Sequence, residues 1–147
     1  MISIEDASPG DANAILSLLD RTHLPKDGLV DHLRTALVAR RGREIVGSAA
    51  LEVYADGALL RSVAVDPREQ GTGLGRRLTE AAAAKALALG VPALYLLTTT
   101  AEGFFPKFGF ARIGRSEVPA SVQQSIEFRS ACPASAVVMR KRLTAAG

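Results

Sequence analysis

The stretch Val63–Leu78, which reads VAVDPREQGTGLGRRL, decides the fold of this chain. A β-branched apolar run ends at Pro67, a glycine-dense turn follows, and an alanine-rich helical segment begins directly after the turn. Glycines let the backbone approach a ligand closely and adopt positive φ angles. The start of a helix offers unpaired N–H groups and the positive end of the helix dipole. This order of elements predicts a cradle for a phosphate or a pyrophosphate.

Two common phosphate-binding motifs do not fit this turn. A P-loop requires GxxxxGK[ST], and counting from Gly71 would put its second glycine and its lysine on Arg76 and Arg77. A dinucleotide-binding fingerprint requires GxGxxG after an early strand. The glycines at Gly71, Gly73 and Gly75 have the wrong last spacing and follow the fourth predicted strand. A plain tight turn is the structural alternative, which three glycines at alternate positions disfavour.

Length and composition exclude several classes of protein. A chain of 147 residues predicts one domain, residues 1–147, with a core of its own. The net charge of +3 comes mostly from scattered arginines without a basic tail or helix face, which suits a small anionic ligand at least as well as a nucleic acid, and no nucleic-acid partner is expected. No apolar run is long enough to span a membrane, and the acidic start does not resemble a signal peptide, so a cytoplasmic location is expected. The single cysteine, Cys132, excludes an internal disulfide and a CxxC metal site, and no metal is expected.

The spacing of apolar residues predicts seven strands with helices between them. The predicted strands are 2–4, 37–40, 45–54, 59–65, 94–98, 110–113 and 135–143. The predicted helices are a first one carrying Ile15, Leu18 and Leu19, followed by 30–37, 73–89, 102–108 and 118–128. Three consecutive hairpin strands followed by βαβ units indicate an α/β fold with a mixed sheet and helices on both faces.

Two motifs carry a resemblance to a known family. Residues 68–73 read REQGTG, which fits R/Q-x-x-G-x-G/A, and residues 104–110 read FFPKFGF. They resemble the acetyl-CoA signature and the fYeklGF segment of the GNAT superfamily of N-acetyltransferases. The resemblance covers most of the chain. It implies a central, twisted, mostly antiparallel sheet of six or seven strands, splayed between strands 4 and 5.

Three further segments carry a closer resemblance. Residues 96–110 (LLTTTAEGFFPKFGF), the pattern LPxxGL at 24–29, and CPASAVVM at 132–139 are similar to the short acetyltransferases of bacterial arsenic-resistance operons. The LTT segment also resembles N-acetylglutamate synthases. These resemblances imply a small acceptor with an amino group, such as an amino acid or an amino-bearing arsenical. Segment 24–29 is expected to line the acceptor side.

The resemblance also implies where acetyl-CoA, the cosubstrate, binds. The pantetheine arm enters the splay and pairs with the main chain of Val63 and Val65, and an N–H there, assigned to Val63, polarises the thioester carbonyl. A single such donor can change the rate by roughly 10²–10³. For Arg76, a solvated helix face is the structural alternative. The residues assigned to the cofactor are Val63, Val65, Arg68, Gln70, Gly71, Thr72, Gly73, Leu74, Gly75, Arg76, Phe105 and Lys107.

Acetyl transfer to an amine needs a proton acceptor, because a protonated amine has no free electron pair. Glu52 on the third strand is the first candidate, and Glu127 is the second. For each of them, the alternative is a carboxylate that faces solvent and has no role in the reaction. Arg61 is a candidate for holding a substrate carboxylate, with an ion pair across the sheet as its alternative. Thr99 is also expected at the substrate.

Phe105 departs from the family pattern. The superfamily often has a tyrosine there, acting as general acid for the leaving thiolate. A thiol pKa near about 8.5 makes a thiolate a tolerable leaving group without such an acid. Turnover is therefore slower, or Thr99, Tyr95, Tyr54 or water replaces the tyrosine, or the chain is a non-catalytic acyl-CoA-binding module.

Some alternatives remain open at this level. Acetylation of protein N-termini or lysines would favour a wide acidic groove, of which the sequence shows no sign. Cys132 is more typical of a small buried apolar residue than of an arsenic ligand or a nucleophile. His23 and His32 are typical surface or packing residues. A homodimer formed through the final strand is a further option.

Overall fold

The structure is a computed structural model that describes residues 1–143, so the last four residues of the predicted domain lie outside it. The strands are β1 (Ile2–Asp6), β2 (Ala36–Arg41), β3 (Glu44–Tyr54), β4 (Gly57–Val65), β5 (Ala93–Thr98), β6 (Ala111–Ile113) and β7 (Val137–Arg142). The α-helices are α1 (Ala12–Arg21) and α2 (Leu74–Ala88). Short 3₁₀ turns occupy Pro9–Asp11, Leu29–Thr35, Pro67–Glu69, Phe105–Phe108, Arg115–Glu117 and Val122–Gln124, and a π-helical turn occupies Glu127–Ala131.

All seven strands form one sheet in the order β1-β2-β3-β4-β5-β7-β6. Among the described strands, β4 and β5 form the one parallel pair, and the other neighbours are antiparallel. The predicted α/β fold with a mixed, mostly antiparallel sheet is therefore confirmed.

The parallel pair separates soon after it forms. Strands β4 and β5 are paired at Ala58–Leu94 and Leu59–Tyr95. A bulge follows in β4, where Ser62 and Val63 stand opposite Ala49 of β3. Ser62 has a φ of 58°, a left-handed value that is uncommon for a residue other than glycine. Since a bulge bends and twists its strand, β4 turns away from β5, and the predicted splay is confirmed.

The sheet carries a separate apolar core on each face. On one face α1 buries Ile15, Leu18 and Leu19 against a cluster that includes Ala36 and Val38 of β2. The other face packs on α2 through a cluster that contains Leu74, Leu78, Ala82 and Ala86 with Leu37 and Ala39 of β2. Alternate residues of a strand point to opposite faces, so β2 contributes to both cores. Helices on both faces are confirmed.

Helix α1 ends in a Schellman motif that directs the chain toward the splay. The N–H of Leu24 donates to the carbonyl of Leu19 at 3.0 Å, and the N–H of His23 donates to that of Asp20 at 3.3 Å. His23 takes the left-handed position with a φ of 59°. Glycine is the usual residue there because it has no Cβ. The histidine therefore holds a conformation that costs roughly 1–2 kcal/mol.

We expect His23→Gly to stabilise the protein by about 1 kcal/mol, because glycine removes the Cβ strain while the two helix-ending hydrogen bonds remain. Urea unfolding followed by circular dichroism measures the change. His23→Ala is the matched control, because it removes the imidazole and keeps the Cβ. Equal stability of the two variants would contradict the strain argument.

Three predicted helices differ from the observed ones. The continuous helix predicted over 118–128 is wrong, because Ser125 has an extended ψ of 140° that separates the 3₁₀ turn from the π-helical turn. The helix predicted over 30–37 is a kinked 3₁₀ segment, and Leu37 belongs to β2. The helix predicted over 102–108 shrinks to Phe105–Phe108, with Pro106 in its first turn.

Strand β7 lies inside the sheet. It pairs with β5 along its whole length and with β6 at residues 138–140. Pairing of this strand with a second copy is therefore excluded along residues 138–140. A homodimer through another surface stays a prediction.

Candidate active site

The splay between β4 and β5 opens into a cavity of about 550 Å³. One wall is β4 from residue 60 to 65, and the opposite wall is the end of β5 with the loop after it. The loop after α1 contributes Leu24 and Pro25, and the π-helical turn contributes Glu127. The remaining lining residues are Thr22, Gln70, Gly75, Leu96, Leu97, Thr98, Thr100, Ala101, Phe104, Phe105 and Cys132.

A second cavity of about 470 Å³ continues from the first toward the glycine turn. The two cavities share Val65, Gln70, Gly75 and Phe104, so together they form one groove that runs from the splay to the glycine turn. The second cavity is also lined by Glu69, Gly71, Gly73, Leu74, Arg76, Lys107 and Phe108. Arg76 and Lys107 place two exposed cations at this end of the groove.

The glycine turn has the geometry of an anion cradle. Gly71 and Gly73 have φ angles of 84° and 85°, and Gly73 is the N-cap of α2 without a side-chain cap. A Cβ added to either glycine would meet no atom within 4 Å, so the backbone conformation rather than crowding requires glycine there. The first amide N–H groups of α2 have no intrahelical partner. The turn therefore fits a pyrophosphate group.

Some side chains around the turn face the groove, whereas others form hydrogen bonds to other parts of the protein. Arg68 does not line either cavity, because its guanidinium bonds to Asp66 at 3.1 Å and to Glu44. These bonds from Arg68 hold the pKa of Asp66 well below its usual range. The hydroxyl of Thr72 donates to the carbonyl of Glu69 at 2.6 Å. Arg68 and Thr72 thus support the turn, and their contact with a cofactor stays a prediction.

A buried charged cluster lies behind the larger cavity. The side chains of Arg61 and Glu52 are 0% and 1% exposed, and Nη1 of Arg61 donates to Oε2 of Glu52 at 2.9 Å. On its other side, Nε of Arg61 lies 3.4 Å from Oε2 of Glu127. One guanidinium is therefore shared by two carboxylates, which come from β3 and from the π-helical turn.

Arg61 also fixes the loop after α1. Its Nη1 and Nη2 atoms donate to the carbonyls of Asp27 and Pro25, the latter at 3.1 Å, and its Nε donates to the hydroxyl of Ser62 at 3.0 Å. Its donors are thus directed at protein partners although the side chain lines the cavity. Binding of a substrate carboxylate by Arg61 stays a prediction, which these contacts disfavour.

The two carboxylates of the cluster have opposite pKa shifts. Burial raises the pKa of Glu127 to about 7, against the attraction of Arg61 and with a further rise from the charge of Glu52. Burial also acts to raise the pKa of Glu52, but hydrogen bonds from Tyr54 and Arg61 outweigh it and lower the pKa. Glu52 therefore stays ionised near neutral pH while Glu127 titrates there.

Only some of the residues predicted for catalysis and for substrate binding line the larger cavity. Glu52 is fully buried and does not line the cavity, whereas Glu127, the second candidate, does. Thr99 is exposed, and its neighbours Thr98 and Thr100 line the cavity instead. The alternation of side chains along β5 places Thr98 on the inner face of that strand. This alternation is the sequence signal that could identify Thr98 as a residue lining the cavity.

Phe105 stands where the family often has a tyrosine, and Tyr54 and Tyr95 are predicted replacements for that general acid. Phe105 is 7% exposed, packs edge-on against Phe104 and Phe110, and borders the larger cavity. Tyr54 donates its hydroxyl to Glu52, and burial raises its pKa. Tyr95 is buried in a third apolar cluster. Neither tyrosine lines the groove, so neither occupies the place of a leaving-group acid.

Residues 1–143 contain neither a metal-binding cluster nor a membrane-spanning helix. No group of three or more His, Cys, Asp and Glu side chains there is arranged to hold a metal ion. No helix in this part of the chain has the length and apolar character needed to cross a membrane. The cytoplasmic location and the absence of a nucleic-acid partner stay predictions.

Comparison with known proteins identifies the class. Residues 32–112 match the profile of the family described as Acetyltransferase (GNAT) domain, which is more than half of the chain. The chain belongs to this family. The predicted class, an acyltransferase of the acetyl-CoA-dependent N-acetyltransferase type, is thereby confirmed at the level of the family.

The sequence identity between this chain and individual relatives is low. The chain is 26% identical to the amino-acid acetyltransferase of Neisseria meningitidis serogroup A over 149 aligned positions, covering 95% of this chain and 34% of that protein. It therefore spans about a third of the length of this relative. This relative is described as an amino-acid acetyltransferase and not as an arsenic-resistance acetyltransferase, so the closer resemblance to the latter group stays a prediction.

Two solved structures share the fold. N-acetylglutamate synthase from Neisseria gonorrhoeae, complexed with coenzyme A and N-acetyl-glutamate, superposes with a TM-score of 0.83 at 24% identity, covering 99% of this chain and 36% of that one. Rv2747 from Mycobacterium tuberculosis, in complex with CoA and NLQ, superposes with a TM-score of 0.80 at 26% identity, covering 97% of this chain and 99% of that one.

Proposed function

We propose that this protein transfers the acetyl group of acetyl-CoA to the amino group of a small amino acid. The observation that carries the proposal is the continuous groove, which joins the glycine turn to the cavity inside the β4–β5 splay. One end of the groove has the cations and amides that suit phosphates, and the other end is bordered by the carboxylate of Glu127. Such an arrangement suits a phosphorylated acyl donor and an amine acceptor that meet in the middle.

The donor is proposed to lie along β4 and the turn. The amides of Gly71, Gly73, Leu74 and Gly75 would hold the pyrophosphate, and Arg76 and Lys107 would contact the outer phosphates. Val63 and Val65 line the larger cavity on the edge of β4 that β5 leaves unpaired. Their main-chain groups are therefore available to the pantetheine arm, and the N–H of Val63 is proposed to polarise the thioester carbonyl.

The acceptor is proposed to occupy the end of the larger cavity that Glu127 borders. A volume of about 550 Å³, shared with the acyl end of the donor, suits a small molecule rather than a protein surface. Relatives described as amino-acid acetyltransferases support an amino acid as the acceptor. An amino-bearing arsenical is the finer alternative that the closer sequence resemblance implies.

An assay of CoA release over a panel of acceptors tests the proposal. The panel holds the common α-amino acids, simple primary amines, an amino-bearing arsenical and a peptide with a free N-terminus. We expect release with at least one free amino acid, and mass spectrometry should show a product heavier by one acetyl group. The matched control is the N-methylated, quaternary form of the same acceptor, which has no transferable proton.

Three outcomes would contradict the proposal. Tight CoA binding without amine-dependent release would favour the non-catalytic acyl-CoA-binding module. Release with the peptide and with none of the small amines would favour protein acetylation. Release with the arsenical alone would replace the amino acid by the finer alternative.

A further inference from the structure

The carboxylate of Glu127 stands at the acceptor end of the groove, and its role rests on the function proposed above. We propose that Glu127 is the general base that takes the proton from the acceptor ammonium group, and that the buried Arg61–Glu52 pair positions it. Arg61 and Glu52 act through Glu127 and are positioning residues.

The placement of Glu127 relative to the reacting groups carries the proposal. Glu127 lines the same cavity as Ser62 and Val63 of the β4 bulge, where the thioester is proposed to lie. The residue itself is 4% exposed, so water does not compete freely for its carboxylate. It begins a π-helical turn, a rare conformation that often occurs at functional sites.

The other titratable groups on the cavity wall are unsuitable as bases. In the part of the chain that the structure describes, these groups are Arg61 and Cys132. An arginine keeps its proton in proteins. Burial, together with the charge of Glu127, raises the pKa of the Cys132 thiol to about 12, so the thiol stays protonated. Glu127 is left as the proton acceptor on this wall.

Burial is the main reason that Glu127 titrates near neutral pH, and the charged groups around it adjust its pKa. The groups facing it are Arg61 from β4, Glu52 from β3, Cys132 beyond the π-helical turn and Asp27 from the loop after α1. Because Glu52 stays ionised and is held by Arg61 at 2.9 Å, its negative charge repels the Glu127 carboxylate and offsets part of the attraction of Arg61. A base whose pKa lies near the working pH is the most effective one.

The proposed reaction consists of proton removal from the acceptor, acetyl transfer and release of CoA–SH. The acceptor R–NH₃⁺ gives one proton to the Glu127 carboxylate and becomes R–NH₂. Its nitrogen forms a bond to the acetyl carbonyl carbon, and the carbon–sulfur bond breaks. The second amine proton goes to the departing thiolate, directly or through water, which yields the N-acetyl product and CoA–SH. Glu127 then releases its proton to solvent, so one proton leaves per turnover.

Glu127→Gln tests the base, because it removes the proton acceptor and keeps the shape. We expect kcat/KM for the amine to fall by about 10²–10⁴ at pH 8, with an unchanged affinity for CoA. The ratio of wild-type to variant kcat/KM should fall about tenfold per pH unit below 7, because the wild-type base is protonated there. Titration of the acceptor amine is common to both proteins and cancels in this ratio.

Glu52→Gln tests the positioning role. Without the Glu52 charge, Glu127 loses a repulsion that raises its pKa, so we expect the midpoint of the acid limb to move below 7. A side chain that only stabilises the fold would leave this midpoint in place. The surface variant Glu102→Gln, which loses an exposed carboxylate 3.6 Å from Arg112, is the matched control and should keep both rate and profile.

The outcomes separate this inference from the function on which it rests. An active wild type with a Glu127→Gln variant that keeps its rate and pH profile overturns the inference alone. A wild type that acetylates no amine overturns the proposed function and the inference with it. Infrared difference spectra of wild type minus Glu127→Gln give a readout without turnover, in which a carboxylic acid band should vanish as pH rises through about 7.

Discussion

Replacing Gly73 by glutamate is expected to weaken CoA binding on the order of a thousandfold. The new carboxylate would stand at the N-cap of α2, beside the amides proposed to hold the pyrophosphate. Two like charges about 4 Å apart repel by about 4 kcal/mol near a protein surface, which is the expected loss in affinity. Isothermal titration calorimetry with CoA measures it directly.

The fold should survive this substitution. No atom lies within 4 Å of a Cβ at Gly73, and a carboxylate at a helix N-terminus interacts favourably with the helix dipole. The positive φ of 85° still costs roughly 1–2 kcal/mol. Gly73→Ala is therefore the matched control, since it carries the same backbone strain without the charge. An affinity of Gly73→Glu equal to that of Gly73→Ala would refute the assignment of the turn to a phosphate group.

The part of the site made by one continuous segment was predictable from sequence. The turn at 68–73, its strand and its helix are local, and glycines with positive φ leave a clear pattern. The succession of strands along the chain was also predictable, because hairpin turns and apolar alternation are local signals. The confirmed splay came from the family resemblance. The structure adds its cause, the β4 bulge at Ser62, which no glycine marks in the sequence.

The acceptor end was harder to predict because it is assembled from distant segments. Glu52, Arg61 and Glu127 meet only after β3, β4 and the π-helical turn have packed together. Alternation along β3 gave Glu52 a face but left open whether that face met solvent or a partner. The apolar spacing of region 118–128 predicts a regular helix, yet Ser125 interrupts it, and Glu127 reaches the cavity wall.

Replacing Arg61 by methionine is expected to lower the free energy of unfolding by about 3–5 kcal/mol at pH 8. Methionine fills much of the space of the arginine stem but leaves Glu52 buried with an uncompensated charge. The carbonyls of Pro25 and Asp27 also lose their donor, so the loop that borders the acceptor cavity is released. Urea unfolding at pH 8 measures the loss, and Arg68→Met, at an arginine whose side chain is 62% exposed, is the comparison at the surface.

The double variant Arg61→Met with Glu52→Gln distinguishes the charge from the packing. If the uncompensated carboxylate causes the loss, neutralising Glu52 should restore at least half of the lost stability, because a neutral amide costs far less to bury than a charge. The residual loss reports the released loop and the charge of Glu127. That residual loss should shrink as the pH is lowered from 8 to 6, because the attraction of Arg61 lowers the pKa of Glu127 more than the charge of Glu52 raises it, so Glu127 takes up its proton at a higher pH in the double variant than in the wild type. A double variant no more stable than Arg61→Met alone would show that the guanidinium acts through its backbone hydrogen bonds and not through the shared ion pair.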